Sequence, residues 1–404
     1  MSLLLILAQH SRIVNSPSYA GDKNMPIDEE QKKILESLPP AHHTFFVAKA
    51  SRKTTDQKLS HFTVYRDNAK SVMSFFIEHN KNKKYPGGGY ASRVKKAYLT
   101  VDAKPKYAIK IYHQNMFAGN TVHEMRLAMR SAYCYKQLGR ESACFRIHEK
   151  QYLLTEWLRG GNLFEADQKK IQSMPIPRRI VMAISLLREL SILHRQGLIH
   201  HDIKPHNVMI NYGRLGFVDL DSVTPKGEPP LVGPTPIYTK RYLPTAEMSF
   251  HATYHPTTLF LKFDEKTDLR QLGRTLCSLF QEIYVPTKCD QIIQLDNSSD
   301  TYNFETVVLV YGKEYSKHPQ LQKLLKQITS LEYSSPATAD ECIEAFMKIL
   351  STYPDFEEYL KEDRLVDVGK NLSSTDGEKA FKEIEIELLG YNKRCKAAKK
   401  LTLS

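Results

Sequence analysis

Residues 200–219 constrain the fold of this chain more than any other segment, and they read HHDIKPHNVMINYGRLGFVD. Upstream, residues 180–197 carry apolar side chains at the spacing of a buried helix, and Gly197 is a typical helix stop. Downstream, residues 208–218 hold two short apolar runs around Tyr212-Gly213, which predicts a hairpin. The polar residues in between therefore lie in a loop fixed at both ends, which is a rigid platform for chemistry.

Four polar residues of this segment follow an order suited to phosphoryl transfer: Asp202, Lys204, Asn207 and, after an apolar run, Asp219. That reaction asks a protein to position a hydroxyl, neutralise phosphate oxygens and hold Mg²⁺ with carboxylate and amide oxygens. The alternative is a metal site or a polar turn built on the neighbouring histidines. Zinc sites favour a cysteine pair or two ligands on one helix face, and neither spacing occurs here.

The segment resembles the catalytic loop of the protein kinase family. The resemblance implies that Asp202 accepts the proton of the attacking hydroxyl and that Lys204 steadies the γ-phosphate of ATP. It also implies that Asn207 and Asp219 bind Mg²⁺ or Mn²⁺. Asp221 stands where the family usually has glycine, and two roles are open for it: a second metal ligand or a cap of the following turn. Because aspartate restricts the backbone more than glycine, we expect little switching between loop states.

Three further positions bear on regulation. His201 replaces the arginine that usually pairs with a phosphate on the activation segment, so activation by loop phosphorylation is not expected. Residues 232–244 resemble that activation segment, which presents a protein substrate. Asp268 resembles the aspartate that opens a large helix and braces the backbone of the catalytic loop.

The nucleotide-binding part of the same family has counterparts upstream. Lys110 lies in an alternating run typical of a strand, residues 107–111, and resembles the lysine that grips the α- and β-phosphates. The residues that match the glycine-rich loop over the phosphates are Gly87, Gly88, Gly89 and Val94. Ser92 stands in place of the third glycine.

The remaining nucleotide contacts rest on a helix and a hinge. Glu124 resembles the glutamate that pairs with Lys110, although Thr121 and Glu124 also form a capping box at a helix start. Residues 152–163 resemble the strand and hinge between the two kinase lobes. That resemblance implies Thr155 as gatekeeper, adenine contacts from the backbone of Glu156 to Leu158, and Asn162 at the ribose.

The net charge of +12 on 404 residues predicts attraction to polyanions. Specific nucleic-acid binding is not expected, because no zinc-finger spacing or RNA-binding aromatic signature accompanies the charge. Lysines and arginines cluster at residues 81–96, where an inositol polyphosphate could bind, and at residues 393–400. The second cluster follows apolar positions in a predicted helix, a pattern typical of binding to acidic phosphoinositide membranes. A solvated charged face is the alternative for both.

We predict an α+β, two-lobed protein kinase-like fold with an N-terminal extension (1–40), a small lobe (41–157), a large lobe (158–350) and a helical basic tail (351–404). Strands at 45–47 and 62–65 extend the small lobe. Six scattered cysteines indicate reduced thiols and a cytoplasmic location. The apolar run at residues 2–8 does not have the pattern of a signal peptide, no run is long enough to span a membrane, and a monomer is expected.

The predicted function is ATP- and Mg²⁺-dependent phosphorylation of serine or threonine in a protein. The divergent motifs resemble those of secreted bacterial effector kinases, which would place the chain in a host cytosol, peripheral to an acidic membrane. Three alternatives stay open. One is a small-molecule kinase of the aminoglycoside or choline type, which Asp219-Leu220-Asp221 favours; another is a pseudokinase scaffold; the last is an enzyme that transfers AMP.

Overall fold

Two units make up the fold. Met1–Trp157 and Ala380–Ser404 form one, here called the sheet unit, and Leu158–Lys379 form the other, the helical unit. The structure is a computed structural model, and it describes residues 44–53, 58–65, 72–78, 87–88, 92–98, 105–112, 121–147, 150–166, 168–228, 264–280, 317–329, 336–361 and 372–403. The predicted N-terminal extension (1–40) lies outside these ranges, as do Gly89 and residues 232–244.

The sheet unit is built on one eight-stranded sheet with strand order β3-β2-β1-β7-β8-β6-β5-β4. The strands are β1 (Thr44–Lys53), β2 (Lys58–Tyr65), β3 (Val72–Glu78), β4 (Gly87–Gly88), β5 (Ser92–Tyr98), β6 (Tyr107–Tyr112), β7 (Ser142–Ile147) and β8 (Lys150–Glu156). β1 runs parallel to β7, and its other pairing, with β2, is antiparallel. The two strands predicted before the glycine-rich loop are therefore present, longer than predicted, and they extend the sheet.

Alternating burial explains why these segments form strands. Along β5 and β6 buried and partly buried residues alternate for most of the length, which is the pattern of a sheet with one face on a core. Tyr107 and Ile109 of β6 reach the same core as Phe145 of β7. The Phe145 ring stacks on Tyr152 with centroids 5.3 Å apart.

Among the described residues of the sheet unit, two helices accompany the strands. These are α1 (Thr121–Gln137), which packs on β7 and β8, and the unit's part of the C-terminal helix α8 (Asp376–Leu403). Phe381, Ile384 and Leu388 lie on one stripe of α8 and are buried. The segment predicted as a single tail is thus divided between the units, because this stripe packs within the sheet unit.

Helices dominate the helical unit: α2 (Gln168–Gln172), α3 (Ile176–Arg195), α4 (Glu265–Phe280), α5 (Pro319–Thr329), α6 (Ala339–Leu350) and α7 (Phe356–Leu360). α3 is buried on almost every face, as its apolar sequence requires. It ends before Gly197, whose φ of 71° only glycine adopts readily.

The predicted hairpin is present as β10 (Val208–Asn211) and β11 (Arg214–Phe217). Tyr212 and Gly213 form its turn with positive φ angles of 50° and 77°. Two short strands, β9 (Leu198–Ile199) and β12 (Thr224–Pro225), pair beside it. In the described ranges, no helix has the length and apolar character needed to cross a membrane.

Candidate active site

Three of the predicted site residues meet in the loop between β9 and β10. Lys204 Nζ donates to Asp202 Oδ2 at 2.7 Å, and Asn207 Nδ2 donates to the same oxygen at 3.0 Å. Asn207 Nδ2 also donates to the main-chain oxygen of Asp202 at 2.9 Å. Asp202 is only 3% exposed, so these bonds hold its carboxylate in one orientation.

Asp268, near the start of α4, holds the backbone of this loop. Its two carboxylate oxygens accept the main-chain N–H groups of His200 at 2.7 Å and His201 at 2.9 Å. His194 Nε2 lies 3.0 Å from Asp268 Oδ2. Burial by itself would raise the pKa of this carboxyl, but the hydrogen bond to His194 and the nearby imidazoles outweigh burial and lower it. The predicted brace is confirmed.

Gln271 adds a second brace, which no local pattern in the sequence predicts. Its side-chain oxygen accepts the N–H of Ile203 at 2.9 Å, and its amide nitrogen donates to the main-chain oxygen of His201 at 2.9 Å. Gln271 lies one helical turn after Asp268, on the same face of α4. Loop residues on both sides of Asp202 are therefore tied to one helix.

His201 is a buried imidazole where the family usually has an arginine. It is 1% exposed, and its Nε2 lies 2.7 Å from Thr224 Oγ1. Burial lowers the pKa of His201 to about 4, partly offset by the charge of Asp268. The ring is therefore neutral near pH 7, and its backbone has the unusual φ of 68°.

Asn207 and Asp219 offer the hard oxygen ligands that suit Mg²⁺. Since Asn207 Nδ2 is committed to Asp202, the amide presents Oδ1 as its acceptor atom. Asp219 is exposed, with φ 62° and ψ 63°, at the start of a 3-10 turn over Leu220–Ser222. Asp221 in that turn is 6% exposed. In the described part of the chain, no three His, Cys, Asp or Glu side chains cluster as a metal site.

A turn after the hinge lies against the catalytic loop. The N–H of Leu163 donates to the Val208 oxygen at 2.7 Å, and the Phe164 ring stacks on the His206 ring with centroids 3.8 Å apart. Asn162 Oδ1 accepts the N–H of Glu165 at 2.7 Å. The side chain predicted to contact ribose thus also stabilises this turn.

Among the residues predicted to bind the nucleotide, those that the structure describes lie in the sheet unit, except Leu158 and Asn162, which lie in the helical unit. Gly87 pairs with Val94, Val94 with Lys110, and Lys110 with Leu153, so one row of residues crosses four strands. Lys110 is 8% exposed, with Nζ 5.3 Å from the centre of the Tyr112 ring. The strand order places the glycine pair of β4 two strands from Lys110 of β6.

Glu124 and the hinge residues lie on α1 and at the end of β8. Glu124 lies in the first turn of α1 and is 1% exposed. Thr155 near the end of β8 is 8% exposed. The main-chain N–H of Glu156 donates to the main-chain oxygen of Glu141 at 3.2 Å, and that of Trp157 donates to the main-chain oxygen of Lys106 at 2.9 Å. These bonds anchor the hinge to the sheet unit. Leu158, the first residue of the helical unit, is 6% exposed.

Comparison with known proteins matches the same region. A family model of the protein kinase domain matches residues 81–347. Dual specificity protein kinase zak2 of Dictyostelium discoideum is 26% identical over 142 residues, which are 34% of this chain and 22% of that protein. Serine/threonine-protein kinase DCLK3 of Mus musculus is 21% identical over 250 residues, 58% of this chain and 28% of that protein. Serine/threonine-protein kinase PknG of Mycobacterium leprae is 31% identical over 74 residues, 18% of this chain and 10% of that protein. The matches span less than a third of each of these relatives.

Proposed function

The chain belongs to the protein kinase family, with the two-lobed α+β fold of that family, and we propose that it is an active kinase that transfers the γ-phosphate of ATP to serine or threonine of a protein. The catalytic loop carries this proposal, because Asp202, Lys204 and Asn207 share one hydrogen-bonded cluster braced by Asp268. A fixed carboxylate beside a lysine is what positioning a hydroxyl against a phosphate requires.

Each residue has one task in the proposed reaction. Asp202 orients the substrate hydroxyl and accepts its proton, and Lys204 neutralises charge on the transferred phosphoryl group. Asn207 Oδ1 and the Asp219 carboxylate would hold Mg²⁺ or Mn²⁺, which supplies positive charge to the phosphate oxygens when bound. Burial of Asp221 favours a structural task for that residue over direct metal contact. Lys110, paired with Glu124, would hold the α- and β-phosphates.

The test is phosphate transfer from γ-labelled ATP to a protein mixture, with the mass of the modified proteins measured intact. Asp202→Asn should lower the rate roughly 10²- to 10⁴-fold, which is the usual contribution of a positioned general base. Asp355→Asn makes the same chemical change at an exposed position with φ 60° and should leave the rate unchanged. Equal rates for Asp202→Asn and wild type would remove the catalytic assignment.

A second candidate is a small-molecule kinase, which the acidic residue two positions after Asp219 favours. Amino alcohols offered in place of proteins separate the two functions, since only one acceptor class should gain label. The mass added to the acceptor separates transfer of phosphate from transfer of AMP. A pseudokinase scaffold would bind nucleotide and label neither class.

An anionic ligand, either an inositol polyphosphate or an acidic phosphoinositide surface, is the proposed regulator. Arg93 is exposed on β5. Burial lowers the pKa of the neighbouring Lys95, and the positive charges of Arg93 and Lys150 lower it further. On α8, Ile386 and Leu389 are 69% and 61% exposed, so a membrane contact would use them rather than the buried stripe. A peripheral cytoplasmic location, action as a secreted bacterial effector in a host cytosol and a monomeric state belong to the same proposal.

Binding to phosphoinositide liposomes tests the membrane part of this proposal. The double variant Ile386→Ser, Leu389→Ser should show a smaller fraction bound to liposomes than the wild type. If soluble inositol polyphosphate binds at β5, it should raise the melting temperatures of the wild type and the double variant equally. Binding that survives the double substitution would show that α8 does not contact the lipid.

A further inference from the structure

Helix α1 is covered on two opposite sides within the sheet unit. Glu124 and Ala128 lie on one side and are buried, and the helix packs on β7 and β8. The other side carries Arg126, Arg130 and Tyr133, and all three contact α8. Because residues advance about 100° around a helix, this second side lies about 200° from Glu124.

The contact between α1 and α8 joins one carboxylate to two guanidinium groups. Glu385 Oε1 accepts from Arg126 Nε at 2.6 Å and from Arg130 Nη2 at 3.2 Å. The two arginines lie four residues apart, so their like charges repel each other along α1, and Glu385 offsets this repulsion. The Arg130 side chain is only 6% exposed, so water solvates its charge poorly and an acidic partner is required to stabilise it.

An aromatic contact continues the same interface. The Phe381 ring meets the Tyr133 ring edge to face at 5.8 Å, and the Arg130 guanidinium lies 4.5 Å from the Phe381 centroid. Phe381 is 1% exposed. A buried ring between a cation and a second ring fixes the distance between the two helices as well as their register.

We propose that Phe381 and Glu385 are positioning residues for phosphate transfer: through Arg126 and Arg130 they hold α1 against the sheet and keep Glu124 at its buried position. A helix moves as a rigid body, so a clamp on its outer side fixes the inner side. The inference rests on the proposed pairing of Glu124 with Lys110, whose formation governs activity. It assigns to the C-terminal helix a role in catalysis that is separate from membrane binding.

Glu385→Gln in the full-length chain tests the charged part of the clamp. Loss of the ion pairs should lower kcat roughly 5- to 30-fold, the effect of one strong interaction, and leave KM for the protein substrate within about twofold. Hydrogen exchange should become faster in α1 and stay unchanged in α3, which lies in the other unit. Glu383→Gln removes the same charge from an exposed position of α8 and should alter neither quantity.

Two further comparisons separate positioning from general destabilisation. Arg126→Gln combined with Glu385→Gln should be hardly worse than Glu385→Gln alone, because Glu385→Gln already removes the ion pair with Arg126. Phe381→Ala should speed exchange in α1 and lower kcat. Lys382→Ala, at an exposed position of α8, should do neither.

A Glu385→Gln protein with wild-type kcat, or with reduced kcat and unchanged exchange in α1, would overturn the inference. The result is distinguishable from failure of the proposed function. That function fails if Asp202→Asn retains full transfer, whatever the α8 variants do.

Discussion

The Asp268 carboxylate accepts the main-chain N–H of His201 at 2.9 Å and thereby fixes the backbone one residue before the proposed base, Asp202. Its other oxygen accepts the N–H of His200 at 2.7 Å. A backbone φ of 68° at a residue other than glycine costs about 1–2 kcal/mol, so the loop needs this external support.

Asp268→Asn should destabilise the helical unit and slow phosphate transfer. An asparagine amide offers an oxygen to one N–H and sets an NH₂ group against the other, which leaves a buried donor unsatisfied at a cost of about 1–3 kcal/mol. Urea unfolding and kcat measure the two effects. Glu265→Gln in the same turn removes a more exposed ion pair with Lys226 and should cost less than about 1 kcal/mol. Equal effects from the two substitutions would contradict the bracing role.

Stability should fall as the pH is lowered from about 6.5 towards 4. The pKa of His201 is about 4 in the folded chain and near its ordinary value of 6.5 when unfolded, so the unfolded chain binds the proton first. The loss approaches about 1.4 kcal/mol per pH unit for this one group. Burial lowers the pKa of His200 as well, which adds a loss of the same sign.

His201→Asn should flatten this pH dependence, since asparagine does not titrate and accepts a positive φ better than most residues. The measurement is the urea midpoint at several pH values between 4 and 7. An unchanged slope in the variant would show that other groups cause the acid sensitivity.

Asn207→Ala should raise the Mg²⁺ concentration needed for half-maximal activity. The substitution removes the amide oxygen proposed as a metal ligand and both hydrogen bonds to Asp202. Loss of a metal-site partner usually costs roughly 10- to 100-fold in metal affinity or activity. Asn211→Ala, in the adjoining hairpin, provides the control, because the Asn211 side-chain oxygen accepts the N–H of Arg159 at 3.4 Å. Similar Mg²⁺ curves for the two variants would exclude Asn207 from the metal site.

Phosphatase treatment should leave the kinase rate unchanged. In the kinase family, a phosphate on the activation segment usually pairs with an arginine at the position that His201 occupies here. The buried, neutral imidazole of His201 supplies no such positive charge. The comparison is the rate after active or heat-inactivated phosphatase, with mass measurement to show which phosphates were removed. A lower rate after dephosphorylation would mean that other cations bind a regulatory phosphate.

Local patterns in the sequence were sufficient to predict the helix, hairpin and strand around the site. The apolar spacing of residues 180–193 predicted α3, Tyr212-Gly213 predicted the hairpin, and alternation around Lys110 predicted β6. Helix and strand periodicity depend on residues a few positions apart, and turns depend on one or two residues. Such features are readable without knowledge of the tertiary structure.

Contacts between distant residues needed the tertiary structure. The Gln271 brace spans 68 residues and the Glu385 contact with Arg126 spans 259, and no local pattern records which partners meet over such distances. The stripe of Phe381, Ile384 and Leu388 shows the difference most clearly. Its spacing determined that one face of the C-terminal helix would be covered, but it could not distinguish a membrane from another helix. Only the tertiary structure decided this: the stripe is buried within the sheet unit, where Phe381 packs on Tyr133 of α1. An apolar face is stabilised by any surface that removes it from water.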